Sequence, residues 1–395
     1  MSIYLTLTPR DPLVARDGRP FGQGARMKSL DWPYPSVLAG SLRSLLGKEA
    51  GGDFSVSVVE ALKAIDIAGP LPCLDGELYF PAAKDLLVFA DDGKQRQAVP
   101  LRPQDMPKGG GCNLPAGLLP VAVDAEAKPA KAPAFWSSGR MADWLLDKRD
   151  KLGKPFIPPE NGAPGSGFLD APAKDERIHV SIDPKTYAAE EGLLFMTVGL
   201  DMGQAGAVTL AARIEAGDAG WRGQLERLDA LHPFGGERRL ARWQAGQAGA
   251  AWRCPDELTA ALRKAKAVRL VLATPALFAR GWLPGWLDET TLEGRPPGTS
   301  SLRLRLVGGC VERWRPISGW GLENGAIGPK PVRRLTPAGS VYFFTVQEGS
   351  AAELAGPACW LRSVIDEETD KAQDRRDGFG LGLWGIWQHP QTGEN

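Results

Sequence analysis

The sequence has 395 residues, enough for two folded domains, and 43% of them are hydrophobic. Its 47 basic and 47 acidic residues cancel, which argues against a bulk polyanion binder. Any nucleic-acid contact must come from local concentrations of positive charge. Five scattered cysteines with no CxxC or zinc spacing point to free thiols in a reducing compartment. No apolar run reaches membrane-spanning length, and Met1–Pro9 reads as a strand rather than a signal peptide. The expectation is a soluble cytoplasmic protein with no membrane contact. Glycine (48), proline (33) and tryptophan (13) are abundant, so short elements joined by long, shaped loops are expected.

Ser2–Thr8 alternates apolar and polar residues and predicts a first strand. It runs into a loop carrying Arg10, Arg16, Arg19 and Arg26 among Gly18, Gly22 and Gly24, a composition suited to a turn or to phosphate contact. A helix follows from Pro35, with Ser36 as expected N-cap, Val37, Leu38, Leu42, Leu45 and Leu46 as its apolar stripe, and Gly47 as stop. Arg43 falls off that stripe, toward a groove or simply toward solvent. A second helix is expected over Val56–Ile65, and Leu78–Phe89 carries Lys84 and Asp85. From Asp91 to Glu176 the composition shifts to Gly, Pro, Ala and Lys, which reads as an insertion with one helix near Ser138–Lys148.

Strands are expected at Arg177–Asp183, Gly192–Gly199 and Ala207–Ile214, with short helices at Thr186–Glu191 and Gly220–Leu231. The latter runs into His232-Pro233 and a locally positive turn, in which Gly235 and Gly236 precede Glu237, Arg238, Arg239 and Arg242. Beyond a boundary near residue 250 come a helix at Glu257–Ala267 and strands at Val268–Thr274, Ser301–Arg315 and Ser340–Val346. Gly328–Pro337 holds Lys330, Arg333 and Arg334 with no acid, and Trp360–Glu368 reads as partly helical. In the tail, Gly378, Gly380, Gly382 and Gly385 alternate with large apolar residues. The period of two puts bare backbone on one face of an extended segment, against which a ligand, a partner chain or the protein's own core would press. The match of Gly380–Gly385 to a dinucleotide fingerprint fails, because no helix can follow it within a βαβ unit.

The order β-α-β-β-α-β thus occurs twice, the split βαβ pattern. The expected fold class is α+β, two tandem ferredoxin-like (RRM-like) folds with long loop insertions. The domains are 1–250, with an insertion at about 93–175, and 251–395.

Catalytic signals are sparse. There are three histidines, and no zinc-protease, nucleophile-elbow or phosphate-loop motif. Asp366, Glu367, Glu368 and Asp370 are interleaved with Lys371, Arg375 and Arg376, which reads as a solvated face rather than a metal site. His179 is the one candidate acid or base, with no titratable neighbour in sequence. No cofactor is expected. The positive signals are four cationic, glycine- or proline-rich segments, Arg10–Arg26, Gly235–Arg242, Gly328–Pro337 and Asp374–Gly385, suited to a sugar-phosphate chain. Arginine dominates in them, and nearby aromatic residues allow stacking of unpaired bases.

Leu13–Gly22, Tyr34–Leu46, Tyr79–Leu87, Arg177–Phe195, Phe234–Arg239, Pro329–Phe344 and Gly378–Trp387 together resemble one family. It is the third subunit of the Cmr complex, the type III-B CRISPR effector, in the RAMP superfamily. The resemblance implies a non-catalytic RNA-binding subunit with two ferredoxin-like folds that grips the 5′ tag of the crRNA. Its implied partners are the large polymerase-like subunit and the backbone RAMP subunit, with target RNA met indirectly. The family's GGE-R turn maps onto Gly235–Arg239 and its glycine-rich loop onto Gly378–Gly385. A projecting thumb would come from Gly93–Lys174. Expected RNA contacts are Arg16, Arg19, Arg43, Lys84, His179, Gly235, Gly236, Arg238, Arg239, Lys330, Arg333, Arg334, Gly378, Gly380 and Gly382. Two rival readings are a RAMP endoribonuclease that processes repeat RNA and a protein-protein scaffold without RNA contact.

Overall fold

A computed structural model describes residues 2–16, 29–90, 96–106, 108–123, 128–148, 167–203, 208–246, 248–323, 326–366 and 372–388. The chain forms two compact units, each built from separated stretches. Met1–Leu74, Ala171–Gln247 and Pro316–Arg334 make the first; Asp75–Asp170, Ala248–Arg315 and Leu335–Asn395 make the second. The chain crosses between units near the boundary expected at 250. Residues 75–170, which take in most of the insertion expected at about 93–175, group with the second unit.

In the first unit, Asp66–Leu74, Thr209–Glu215, Ile3–Pro9, Leu240–Gly246 and Asp229–Pro233 lie side by side in that order. Their pairings are antiparallel, with Leu5 opposite Ala212 and Leu7 opposite Trp243. Ile3, Leu5 and Leu7 are buried while Tyr4 and Thr6 are half-buried, the alternation of a strand with one core face. The helix Pro35–Glu49 packs on Asp66–Leu74 through Leu38, Leu42, Leu45 and Leu46, all buried. Each such leucine contributes roughly 1.5–3 kcal/mol of burial, so a charge at Leu42 would undo the contact. Tyr34, not Ser36, holds the N-cap position, and Pro35 opens the first turn, where its missing N–H costs nothing. The helix Ala219–Glu226 is capped by Asp218, which accepts from Gly220 N (2.8 Å) and Trp221 N (3.0 Å). It stops short of the expected end because Asp229–Pro233 is taken up as an edge strand.

The second unit has a five-stranded sheet of its own. Glu293–Gly294, Arg303–Cys310, Val341–Glu348, Ala267–Leu272 and Gly382–Ile386 form its main sheet. Ala267–Leu272 is buried throughout, as a central strand should be, with Leu270 between Tyr342 and Trp384. With the edge strands Asp229–Pro233 and Glu293–Gly294 set aside, the four remaining strands of each sheet run second, third, first, fourth in sequence order. The helix Ser138–Leu145 lies against Gly382–Ile386, as does Asp256–Lys264. Met141, Trp144 and Leu145 of the former are buried, which is why residues 75–170 belong here.

Three local expectations give way to tertiary pairing. Thr186–Glu191 is the turn and start of a strand, because Ala189–Asp201 pairs with Ala173–Ile182 over a long hairpin. The strand expected over Ser301–Arg315 ends at Cys310, after a register shift between Leu306 and Gly308. Trp360–Asp366 is turn and bridge rather than helix. Arg315–Glu323 and Ala326–Leu335 pair as a second hairpin. Among the described residues no helix is long and apolar enough to cross a membrane, and no group of His, Cys, Asp and Glu has metal-binding geometry.

Candidate nucleic-acid interface

The chain leaving Ile3–Pro9 makes a narrow seam in the first unit. Leu13 and Leu200 exchange backbone hydrogen bonds of 2.9 and 2.7 Å, tying residues 12–15 to the base of the long hairpin. Gly199 permits this approach, since a Cβ there would stand 2.8 Å from Pro12 Cβ. Ser29 Oγ donates to Ala15 O (3.2 Å) or Val198 O (3.0 Å). On the other side Gly236 N donates to Val14 O at 2.8 Å. At Gly235 φ is +82°, and an added Cβ would lie 2.5 Å from that same oxygen. Only glycine suits both demands.

The turn itself is held from within. Phe234 is buried edge-on against Trp243, and its N donates to Arg239 O at 2.7 Å. Glu237 and Arg238 follow at φ +55° and +50°. Two successive left-handed residues cost roughly 1–2 kcal/mol each, so the surroundings must enforce them. The result exposes Arg238 at the sheet edge. Arg239 is half-buried, and its Nε is shut away from solvent with no hydrogen-bond partner among the described residues. Arg16 bridges to Ser29 on the same seam. The motifs at Leu13–Arg16, Phe234–Arg239 and the hairpin base are therefore neighbours in space.

The other expected contacts divide. Arg19 lies outside the described residues. Arg43 is occupied within its unit: Nε donates to Leu62 O (3.0 Å) and Nη2 to Ile65 O (3.3 Å), closing the end of the second helix rather than entering a groove. Lys84, in the second unit, is paired with Glu312 at 2.9 Å. His179 is engaged by Thr197 Oγ1 at 2.9 Å and stacks on Phe195, with ring centroids 5.2 Å apart. Its hairpin carries six acids against three bases between residues 173 and 201, the wrong balance for a phosphate path. The opposite face of that ribbon is aliphatic and bare, with Ile178 70% and Leu194 60% exposed. Of the segment Gly93–Lys174 expected to supply a projecting thumb, residues 93–95, 107, 124–127 and 149–166 lie outside the described residues.

The glycine tail corrects a preference for a ligand-facing strand. Gly378, Gly380 and Gly382 are buried in the second unit. A Cβ at Gly380 would meet Ile365 Cγ1 at 2.8 Å, one at Gly382 would meet Leu270 Cδ1 at 2.8 Å, and one at Gly385 would meet Leu145 O at 2.6 Å. The period of two is present, but the unit's own core presses the bare face.

Lys330, Arg333 and Arg334 stand on the second hairpin, in the same unit as Arg238. Arg334 is exposed, and Lys330 and Arg333 are half-covered. The sequence reading missed Trp320 on the partner strand, 70% exposed between Gly319 and Gly321. The signal was an aromatic residue flanked by glycines opposite a basic stretch.

These features define a mostly antiparallel, mixed α/β protein with two main sheets and an arginine-bearing glycine turn at the edge of the first. The chain belongs to the family described as CRISPR-associated protein (Cas_Cmr3), whose profile matches residues 5–387. Among solved structures, a chain of the Type III-B Cmr-beta bound to cognate target RNA is 15% identical, over 86% of this chain and 86% of that one, at a TM-score of 0.46. A chain of the Csm3-Csm4 subcomplex in the type III-A CRISPR-Cas interference complex is 10% identical, over 98% and 100%, at a TM-score of 0.42. No curated protein sequence matches.

Proposed function

We propose that this chain is a non-catalytic RNA-binding subunit that holds the 5′ tag of the crRNA and joins the large polymerase-like subunit to the backbone RAMP filament. Membership of the Cas_Cmr3 family supports the assembly. The order of the four strands left in each sheet, once the edge strands Asp229–Pro233 and Glu293–Gly294 are set aside, supports reading both units as ferredoxin-like, since it is the one a βαββαβ chain gives. The observation that carries the RNA reading is the Phe234–Arg239 turn. It spends backbone strain and two glycines to hold Arg238 outward and Arg239 beside the Val14 seam. A planar guanidinium on a rigid turn suits phosphate forks, and exposed main chain lets a ribose-phosphate strand approach closely. Arg16, Lys330, Arg333 and Arg334 extend the basic surface of that unit.

The engagement of His179 by Thr197 and Phe195 favours a structural role over repeat cleavage. The bare aliphatic face of the hairpin Ala173–Ile182 and Ala189–Asp201, and the hairpin's acidic balance, favour a protein neighbour, which suits a bridging subunit. Ultraviolet crosslinking of the assembled complex tests the reading. Adducts to short RNAs with a common 5′ end are expected on Phe234–Arg239; adducts there to protein alone would support the scaffold instead.

A further inference from the structure

The second hairpin holds an aromatic side chain that the fold does not use. Ile317, three residues earlier, is 3% exposed, whereas Trp320 is 70% exposed. On the other face of the ribbon, a Cβ at Gly319 would meet nothing within 4 Å, nor would one at Gly328 on the partner strand. Gly321, by contrast, lies against the Lys330 stem, with an added Cβ 2.6 Å from Lys330 Cε. Lys330 therefore projects from the Gly321 face of the ribbon, and strand alternation puts Trp320 and Arg333 on the other. Within residues 316–334 there are three bases and one acid. An open indole sharing a face with a guanidinium, on a ribbon of net positive charge, is complementary to an unpaired nucleobase and its phosphate. The long hairpin is the contrast in charge: it too exposes apolar surface, Tyr187 among it, but on a ribbon with six acids against three bases.

We propose that Trp320 is a stacking platform for one base of single-stranded RNA, with Arg333 contributing the adjacent phosphate attraction. The proposal rests on the RNA-binding reading and deepens it by naming a residue that reads bases rather than backbone. Stacking is indifferent to base identity because every base presents a π-face, so the platform fixes register rather than sequence.

The test uses the full chain, a fluorescein-labelled single-stranded RNA of about eight nucleotides, and versions of it with one abasic position, read by anisotropy. Base-aromatic stacking is worth about 5- to 150-fold in affinity. Trp320→Ala and Trp320→Leu are expected to lose about tenfold, within that range, and Trp320→Phe no more than about threefold. The salt dependence should stay as in wild type, since no phosphate contact is removed. One abasic position should weaken wild type and have no further effect on Trp320→Ala. Wild-type affinity in Trp320→Ala, or rescue by leucine as full as by phenylalanine, overturns the platform and leaves RNA binding standing. Loss of a companion subunit with RNA affinity unchanged would mark Trp320 as a protein anchor and also overturn it. A wild-type chain that does not bind the RNA at all removes the RNA reading itself.

Discussion

Asp85 Oδ2 accepts a 2.6 Å hydrogen bond from Arg269 Nη1, and both side chains are fully buried. The Trp144 indole donates to Asp85 Oδ1 at 2.8 Å, and Arg102 reaches Oδ2 at 3.2 Å. Arg102 also pairs with Asp147, whose other oxygen accepts from Gln388 N at 3.1 Å. The Arg269 guanidinium lies 5.1 Å from the Trp144 ring. One carboxylate thus ties together segments of the second unit that are far apart in sequence. Burial pushes the Arg269 pKa down, and Asp85 opposes that shift.

Removing Asp85 would leave a buried guanidinium without its counter-charge. Such losses cost about 3–5 kcal/mol. Asp85→Ala is expected to lower the unfolding free energy from chemical denaturation by that order, while Lys84→Ala next to it, at a half-exposed ion pair, should cost at most about 1 kcal/mol. Equal effects would show that the network does not hold the unit.

Gly385→Ala should destabilise the chain by about 1–3 kcal/mol, because the new methyl meets the Leu145 main chain, which cannot swing aside. Gly382→Ala meets a leucine terminus and should cost less. Thermal melting separates the two. If Gly385→Ala instead kept its stability and lost RNA, the tail would be a ligand surface after all.

His232 sits on the edge strand that leads into the Phe234–Arg239 turn. Burial, and then the charge of Lys48, hold its pKa below the usual 6.5. The folded chain therefore binds the proton less well than the unfolded one. Stability from this residue is full above about 6.5 and falls as pH drops through that value toward the folded one. Denaturation midpoints of wild type should decline between pH 7.5 and 5.5 more than those of His232→Gln; parallel profiles would contradict this.

Much of the strand framework was legible, and the reasons are local. Ile3, Leu5 and Leu7 alternate, and Leu38, Leu42 and Leu45 recur at helical spacing, so each face to be buried is written in the neighbouring residues. Thr186–Glu191 misled because Ala-Ala-Glu-Glu favours a helix, and only pairing with Ala173–Ile182 overrides it. The tail misled differently. Its period of two was readable, but whether Leu145 or a ligand presses the glycines depends on a helix more than two hundred residues away. Lys84 and Asp85 are adjacent charges, and no sequence rule says which of them turns inward. In the candidate interface the glycines and arginines of Phe234–Arg239 were visible, whereas the oxygen they close upon, that of Val14, was not. Trp320 was passed over because an exposed tryptophan and a buried one are spelled alike.

The measurement that bears most directly on the central claim is the salt dependence of crRNA binding by filter titration, for wild type and for Arg238→Ala with Arg239→Ala. Two lost phosphate contacts on a single strand should flatten the log–log slope by about 1.4 and weaken binding throughout. An unchanged slope and affinity would take the Phe234–Arg239 turn out of the RNA path and contradict the account.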